Sequence, residues 1–415
     1  MGKGEGLGKW YCSVCNVYHY DEEIGDPETG IEPGTSPSDF PDSWRCPICG
    51  ATRDKLKMEE SRGEENTEFK IGKGPAQRYV KREIISTASD NPAVQPEYSQ
   101  EYGRSLGLAA IGQGITYLNN FRALERVLLR TRLISEHQNP VIKKDFFGTE
   151  VCMPLFAAPM GGLSYFANIS EEDFSYSVLE GCRLADTIGF TGDTAKDYTT
   201  HAGILSLKKV HGHGINVFKP RSQDMLINLM KKSEKGHAFA VGIDIDGAGS
   251  VNFTLAGKPV YRKTVEDLKE LKNSTNLPFM VKGIMCPEDA TLAMDAGANI
   301  IGISNHGGRV LDSAPGVADV LPDIVRAIRD APGSRHVIIT ADGGVRTGFD
   351  VVKMLALGAD FVLMGRPIAR QVLASGASGV KELMDFLKTD IIKAMIMTSC
   401  NKLEDINENI LTTKK

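Results

Sequence analysis

The sequence predicts an α/β protein: a closed (β/α)₈ TIM barrel preceded by a small N-terminal metal-binding unit. Three observations carry this. After Phe147, eight short apolar or β-branched runs are mostly separated by helical stretches, which implies right-handed crossovers and a parallel sheet. Eight such units in about 220 residues fit a closed barrel better than an open doubly wound sheet. Four of the eight cysteines fall within the first 50 residues, as two C-x-x-C pairs.

Taken in order, the strand runs are MPLFAAP (153–159), TIGFTG (187–192), GINVFK (214–219), AFAVGIDI (238–245), PFMVKGI (278–284), NIIGISN (299–305), HVIITAD (336–342) and FVLMG (361–365). Helical spacing appears between them in EDFSYSVLEGCRLA, SQDMLINLMKK, TVEDLKELKNS, PEDATLAMDAGA and TGFDVVKMLALGA, and ahead of them in LNNFRALERVLLRTRLI, 118–134. An open dinucleotide-binding sheet leads with a glycine-rich phosphate turn after its first strand. Pro159-Met160-Gly161-Gly162 does not match that fingerprint.

Composition limits the function classes. At 41% hydrophobic and 24% charged residues the chain has the balance of a soluble globular protein. Its net charge of −5 argues against a nucleic-acid partner, which demands a basic face to replace phosphate counterions. No run approaches the roughly 18 apolar residues of a membrane span, and MGKGEGLGKWYC lacks the apolar stretch of a secretory signal. A cytoplasmic protein is the expectation.

Cys12 and Cys15, then Cys46 and Cys49, are separated by thirty residues. Two C-x-x-C turns facing each other make a tetrahedral thiolate site, which suits zinc or iron. Disulfides are the competing chemistry, disfavoured by a cytosolic setting and paired spacing. Cys152, Cys182, Cys286 and Cys400 are scattered singly among apolar residues and read as small buried hydrophobes.

Residues 9–56 resemble rubredoxin over essentially its whole length. The resemblance rests on Tyr11, Gly-Asp-Pro at 25–27, Gly30, Pro-Gly-Thr at 33–35, Trp44 and Cys-Pro-Ile-Cys-Gly at 46–50. It implies one iron held by the four cysteines and exchanging one electron; a structural zinc ribbon is the alternative. Asn16 stands where the family usually has Gly, at a position of positive φ that Asn tolerates. The organisation expected is a metal domain over 1–56, a charged, Pro- and Gly-containing linker over 57–105, and the barrel over 106–415.

Chemistry in such a barrel sits at the C-terminal strand edges. Here those edges are polar: Asp244, Lys282, the run Ser304-Asn305-His306-Gly307-Gly308-Arg309, then Asp342-Gly343-Gly344 and Gly365-Arg366. The loops after strands seven and eight, ADGGVRTG and MGRP, offer glycine N–H groups and the guanidinium groups of Arg346 and Arg366 to a phosphate.

ISNHGGRVLDSAPGVADVLPDI, ADGGVRTGFDVVKMLALGADFVLMGRPI and VKGI resemble the FMN-dependent 2-hydroxy-acid oxidase and dehydrogenase family, over about residues 120–410. The resemblance implies FMN as cofactor, a small 2-hydroxy acid as substrate and a homo-oligomer. It implies His306 as general base and Asp244 as the carboxylate orienting it, with Asp246 the lesser candidate. It makes Arg309 the clamp on the substrate carboxylate, a bidentate task, and Lys282 the cation beside N1 and O2 of the flavin. Pro159, Met160 and Gly161 would lie against the ring, with Ser304, Asp342, Gly343, Gly344, Arg346, Gly365 and Arg366 completing the cofactor site. The sequence departs from the family at Asn216, where a substrate-binding Tyr is usual, and at Gly214 and Gly242, where polar flavin contacts are usual. The second Arg expected after strand four is missing from DGAGSVNFTLAGK. Tyr102 is a weak match to a substrate-binding Tyr.

The two resemblances together imply a dehydrogenase that passes electrons singly to its own iron and then to an external carrier, in an oxygen-sparing setting. Two rival readings are a redox-neutral FMN barrel, similar to type 2 isopentenyl-diphosphate isomerase, and an electron-transfer module without a small substrate.

Overall fold

The structure, a computed structural model, describes residues 8–13, 18–27, 29–47, 51–58, 111–136, 138–165, 167–195, 201–250, 253, 256–333 and 336–413. Cys15, Cys49, Tyr102, Leu106 and nearly all of the expected linker lie outside the described residues.

The N-terminal unit is a three-stranded antiparallel sheet of β1 (Lys9–Cys12), β2 (His19–Asp21) and β3 (Leu56–Met58), in the order β2-β1-β3. Strand pairing thus runs two residues past the boundary expected at 56, through Met58 opposite Trp10. Its core is aromatic. Phe40 packs edge-on against Tyr20 at 4.9 Å and tilted against Trp44 at 5.0 Å. Such pairs contribute about 0.5–1.5 kcal/mol each beyond the area they bury. Cys12 and Cys46 belong to the same buried cluster.

The second unit opens with helix α1 (Ile115–Arg126) and strand β4 (Val127–Leu129). The helix expected over 118–134 therefore starts earlier and ends at Arg126. Its apolar tail pairs instead with the C-terminal strand, which captures Val127-Leu128-Leu129 as a ladder and draws Arg130 N–H onto the Ile410 carbonyl. A hairpin follows, β5 (Lys144–Phe146) and β6 (Thr149–Val151).

Eight parallel strands then close a barrel: β7 (Leu155–Met160), β8 (Gly189–Thr191), β9 (Ile215–Phe218), β10 (Ala240–Asp244), β11 (Phe279–Ile284), β12 (Ile300–Ile303), β13 (Ile338–Ala341) and β14 (Phe361–Met364). All eight expected runs are present. Helices α2 (Glu171–Leu184), α3 (Ala202–Lys209), α4 (Gln223–Lys235), α5 (Val265–Asn273), α6 (Pro287–Asp295), α7 (Val317–Asp330) and α8 (Gly348–Ala356) connect successive strands, and α9 (Arg366–Met397) follows the last. Strand β15 (Leu411–Thr413) is the partner of β4. No helix among the described residues is long and apolar enough to cross a membrane.

Alternation along the strands divides the core in two. Leu155, Ala157, Val241, Ile243, Phe279, Val281, Ile301, Ile303, Val362 and Met364 belong to the outer core shared with the helices. Their neighbours Phe156, Ala240, Met280, Ile300, Phe361 and Leu363 form a second cluster inside the barrel. Phe146 of the hairpin closes one end, edge-on to Phe156 and Phe361 at 5.3 and 5.4 Å. The same parity, continued to the other end, turns Asp244, Lys282, Ser304 and Asp342 inward. That places four polar side chains at one mouth.

Candidate active site

At the mouth, Asp244 ends β10 and is buried with Lys282 of β11. Lys282 Nζ donates to Ser304 Oγ at 2.8 Å and lies 3.4 Å from Asp244 Oδ1 and 3.5 Å from Asp342 Oδ2. Ser304 Oγ donates in turn to Asp342 Oδ1 at 2.8 Å. Burial alone would lower the Lys282 ammonium, but Asp244, Asp342 and Asp246 outweigh it and raise it, so it stays charged. The β11 register shifts between Lys282 and Ile284, a bulge of the kind that re-aims a side chain.

His306 sits just past β12 in a short turn with Gly307 and Gly308, all three at positive φ. For a histidine this is a sparsely populated conformation, kept only where the surroundings enforce it. Here the His306 backbone N–H donates to Ser304 Oγ at 3.1 Å. The ring is gripped from both sides. Its Nδ1 lies 2.9 Å from Asp246 Oδ1 and 3.2 Å from Asp244 Oδ2. Its Nε2 lies 3.2 Å from Lys219 Nζ. An ammonium has no lone pair to offer, so Lys219 donates, Nε2 accepts, and the imidazole proton resides on Nδ1, facing the carboxylates.

The expected orienting carboxylate, Asp244, therefore shares that task. Asp246 makes the shorter contact, because Asp244 is engaged elsewhere: its Oδ2 takes Lys219 Nζ at 2.5 Å and its Oδ1 faces Lys282. The two carboxyls are driven apart electrostatically. Burial pushes Asp244 up, yet His306, Lys219 and Lys282 overcome that and hold it well below the ordinary carboxylate range. Burial and the neighbouring Asp244 charge push Asp246 up. Asp244, Asp246 and His306 cluster tightly enough for a metal ion, but the two ammonium groups already supply the positive charge there.

The anion site lies on the adjoining edge. Arg346 is buried and follows β13; its backbone N–H donates to Asp350, which with Thr347 forms a reciprocal cap on α8. Arg366 opens α9 and donates to the Gly307 carbonyl at 2.7 Å. Burial lowers Arg366, and Arg346, Arg309 and Arg370 lower it further, to about 10. Guanidinium groups crowded this closely at a helix N-terminus fit a bound phosphate, so the residues present suit FMN. Arg309 is also lowered by burial. Gly343 and Gly344 have positive φ, and a Cβ on either would strike Asn120 of α1. Their bareness thus admits the helix as well as any ligand. Pro159 and Met160 end β7 and are partly exposed; Gly365, past β14, lies against Met160, and Gly161 lies against Asp193 and Thr194, past β8.

Several residues of the site escaped the sequence reading. Tyr117 and Phe121 of α1 lie under the guanidinium groups of Arg366 and Arg346, at 4.5 and 4.9 Å from the ring centroids. Asn120 exchanges hydrogen bonds with Asn305. Nothing local in the sequence ties α1 to loops 185 residues away. Lys219 did leave a signal: it falls two residues after Val217, whose side chain faces the barrel interior. Asp193, just past β8, accepts the Lys219 backbone N–H at 3.0 Å and pairs with the fully buried Arg221 at 2.6 Å.

In the N-terminal unit Cys12 and Cys46 are buried beneath Tyr18, Phe40 and Trp44. Each backbone N–H closes a turn, Cys12 onto the Tyr18 carbonyl and Cys46 onto that of Ala51. Two thiols at the mouths of such turns, in a dry aromatic shell, are a donor set suited to a soft metal.

A barrel with a crowded cationic anion site beside a carboxylate-held histidine defines a flavin-dependent oxidoreductase. The chain belongs to the FMN-dependent dehydrogenase family, matched over residues 108–252 and 223–413, and its first segment matches rubredoxin over 9–56. It is 42% identical over 325 residues to 2-hydroxyacid oxidase 2 of Bos taurus, covering 70% of this chain and 88% of that one. Identity to a 2-hydroxyacid oxidase of Dictyostelium discoideum is 45%, over 36% of this chain and only 37% of that protein. L-lactate oxidase of Lactobacillus jensenii is 29% identical over 70% of this chain and 76% of its own length. Mandelate oxidase bound to (S)-2-phenylpropionate superposes with a TM-score of 0.62 at 26% identity, over 74% of this chain and 92% of that structure.

Proposed function

We propose that the barrel oxidises a small 2-hydroxy acid and that the electrons leave singly through the iron of its own rubredoxin domain to an external carrier. FMN, when bound, supplies the two-electron acceptor for the substrate's C–H hydrogen. The observation that supports the reaction class is the His306 ring, with Nδ1–H directed to Asp246 and the Nε2 lone pair free of a proton and facing the Lys219 ammonium. That tautomer is the one a general base requires. Arg309 takes the substrate carboxylate, Lys282 faces the electron-accepting side of the cofactor, and Arg346 with Arg366 hold its phosphate. Cys12, Cys15, Cys46 and Cys49 hold the iron.

The test is anaerobic mixing of the purified chain with a panel of L-2-hydroxy acids. Bleaching of the flavin, followed by loss of the ferric-thiolate colour, is the expected result. Flavin that no hydroxy acid bleaches, but a protein donor does, would favour an electron carrier without a small substrate. In His306→Ala the reduction rate should fall by about 10²–10⁴; a loss under tenfold overturns the base assignment.

A further inference from the structure

Among the described residues Lys219 is the ammonium that touches the reacting nitrogen, and several contacts of the fold bring it there. Its backbone is pinned by Asp193, through N–H contacts of 3.0 and 3.2 Å to the two carboxylate oxygens. Its side chain crosses over Gly247, where a Cβ would collide with the Lys219 Cδ. Its head group is then fixed between Asp244 Oδ2 at 2.5 Å and His306 Nε2 at 3.2 Å. An ammonium carries three donors in a tetrahedral fan. Two are directed at these partners, and the side chain remains partly open to solvent at 12% exposure.

We infer that Lys219 is a catalytic residue that hands its hydrogen bond from His306 Nε2 to the hydroxyl oxygen of the incoming substrate. This rests on the reaction proposed above. A hydroxyl that is to give its proton to Nε2 must bring its oxygen to about 2.6–3.2 Å of that nitrogen. The Lys219 ammonium already occupies that approach, so the oxygen arrives within its reach. In the reaction the O–H bond breaks and its proton passes to Nε2. The C2–H bond breaks, its hydrogen and electron pair passing together to FMN as hydride, and the carbon–oxygen double bond of a 2-oxo acid forms. Negative charge gathers on the oxygen as the proton leaves, and Lys219 is placed to meet it. The ligand group that Lys219 recognises is therefore the oxygen on C2, whether hydroxyl or keto, and not the carboxylate.

The experiment compares two ligands that differ only at that oxygen, pyruvate and propionate. Their binding to the FMN-loaded full chain is followed by the change in flavin absorbance, alongside the limiting rate of anaerobic reduction by L-lactate. Lys219→Met should cut the preference for pyruvate over propionate by about tenfold or more, the factor carried by a charge-assisted hydrogen bond. It should slow the limiting rate by at least as much, and Lys219→Arg should restore part of both. If Lys219→Met fails to fold, Gly247→Ala provides the second variant. It keeps the charge but displaces the side chain, and the same loss of preference is expected. An unchanged preference in either variant, with the wild type still reduced by lactate, overturns the role of Lys219 alone. A wild type that neither is reduced by hydroxy acids nor binds pyruvate overturns the reaction and this inference together.

Discussion

Asp246 Oδ1 stands 2.9 Å from His306 Nδ1, while its other oxygen is buried without a hydrogen-bond partner among the described residues. Asp244, two residues earlier, has the opposite character: it is saturated by two lysines and tied to the histidine only at 3.2 Å. The labour is divided. Asp246 makes the shorter contact to the imidazole, and Asp244 is the carboxylate held between two ammonium groups.

The division predicts different losses from Asp→Asn at the two positions. Asp246→Asn should slow flavin reduction by about 10² or more, since a misdirected tautomer costs a His-based site heavily. It should fold normally. Asp244→Asn should instead destabilise the chain by about 3–5 kcal/mol, because it breaks a buried carboxylate's pairs with both Lys219 and Lys282. Urea midpoints and rapid-mixing rates on both variants check this. Equal kinetic losses with equal stability would refute the division.

The anion site predicts its own hierarchy. Arg366→Met removes charge-assisted hydrogen bonds worth about 1.5–3 kcal/mol each and should weaken FMN binding by about tenfold or more. Tyr117→Leu removes only the ring beneath that guanidinium, a contact of about 0.5–2 kcal/mol, and should cost less. Fluorescence titration of FMN into the stripped apoprotein gives both constants. A Tyr117 variant weaker than the Arg366 variant would show that stacking, not charge, holds the phosphate loop.

The pattern of legible and illegible features follows the range of each interaction. Barrel strands were readable because period and parity are local, and the rim residues Asp244, Lys282, Ser304 and Asp342 follow from them. Two glycines after β13 were readable as a phosphate loop, but not as the seat of Asn120. The tail of α1 misled because Val127-Leu128-Leu129 suits a helix or a strand equally, and a partner over 280 residues later decides the matter. For Lys219 the inward parity was legible, but its partner was not. It ends a run that reads as a strand, and only the closure of the barrel brings it across to His306.

His201 predicts a pH dependence of stability. Its partly buried ring lies near Arg221 and Lys232, and burial, followed by these charges, pushes it down to about 4 from an ordinary 6.5. Between those values the unfolded chain binds a proton that the folded chain refuses. The stability from the neutral ring is complete above pH 6.5 and is lost as pH falls towards 4. His201→Asn, which tolerates the left-handed backbone at φ 53, should flatten that part of the curve. Melting temperatures from pH 7 to 4 read it directly, and parallel curves for the two proteins would contradict it.

The metal domain gives the prediction that separates an internal electron relay from a passive zinc knuckle. Cys46 is buried against the Tyr18–Trp44 pair, whose ring centroids are 5.6 Å apart, so a serine there fits sterically while hardening the donor. Cys46→Ser should abolish the ferric-thiolate absorbance and lower the metal content. The limiting rate of flavin reduction by L-lactate should stay within about twofold, because His306, Lys219 and Asp246 belong to the barrel. Turnover with a one-electron acceptor protein should collapse, since reduced flavin then has no one-electron outlet within the chain. If that turnover survives in the variant, or the wild type as purified holds zinc, the electrons leave by another route and the iron relay is wrong.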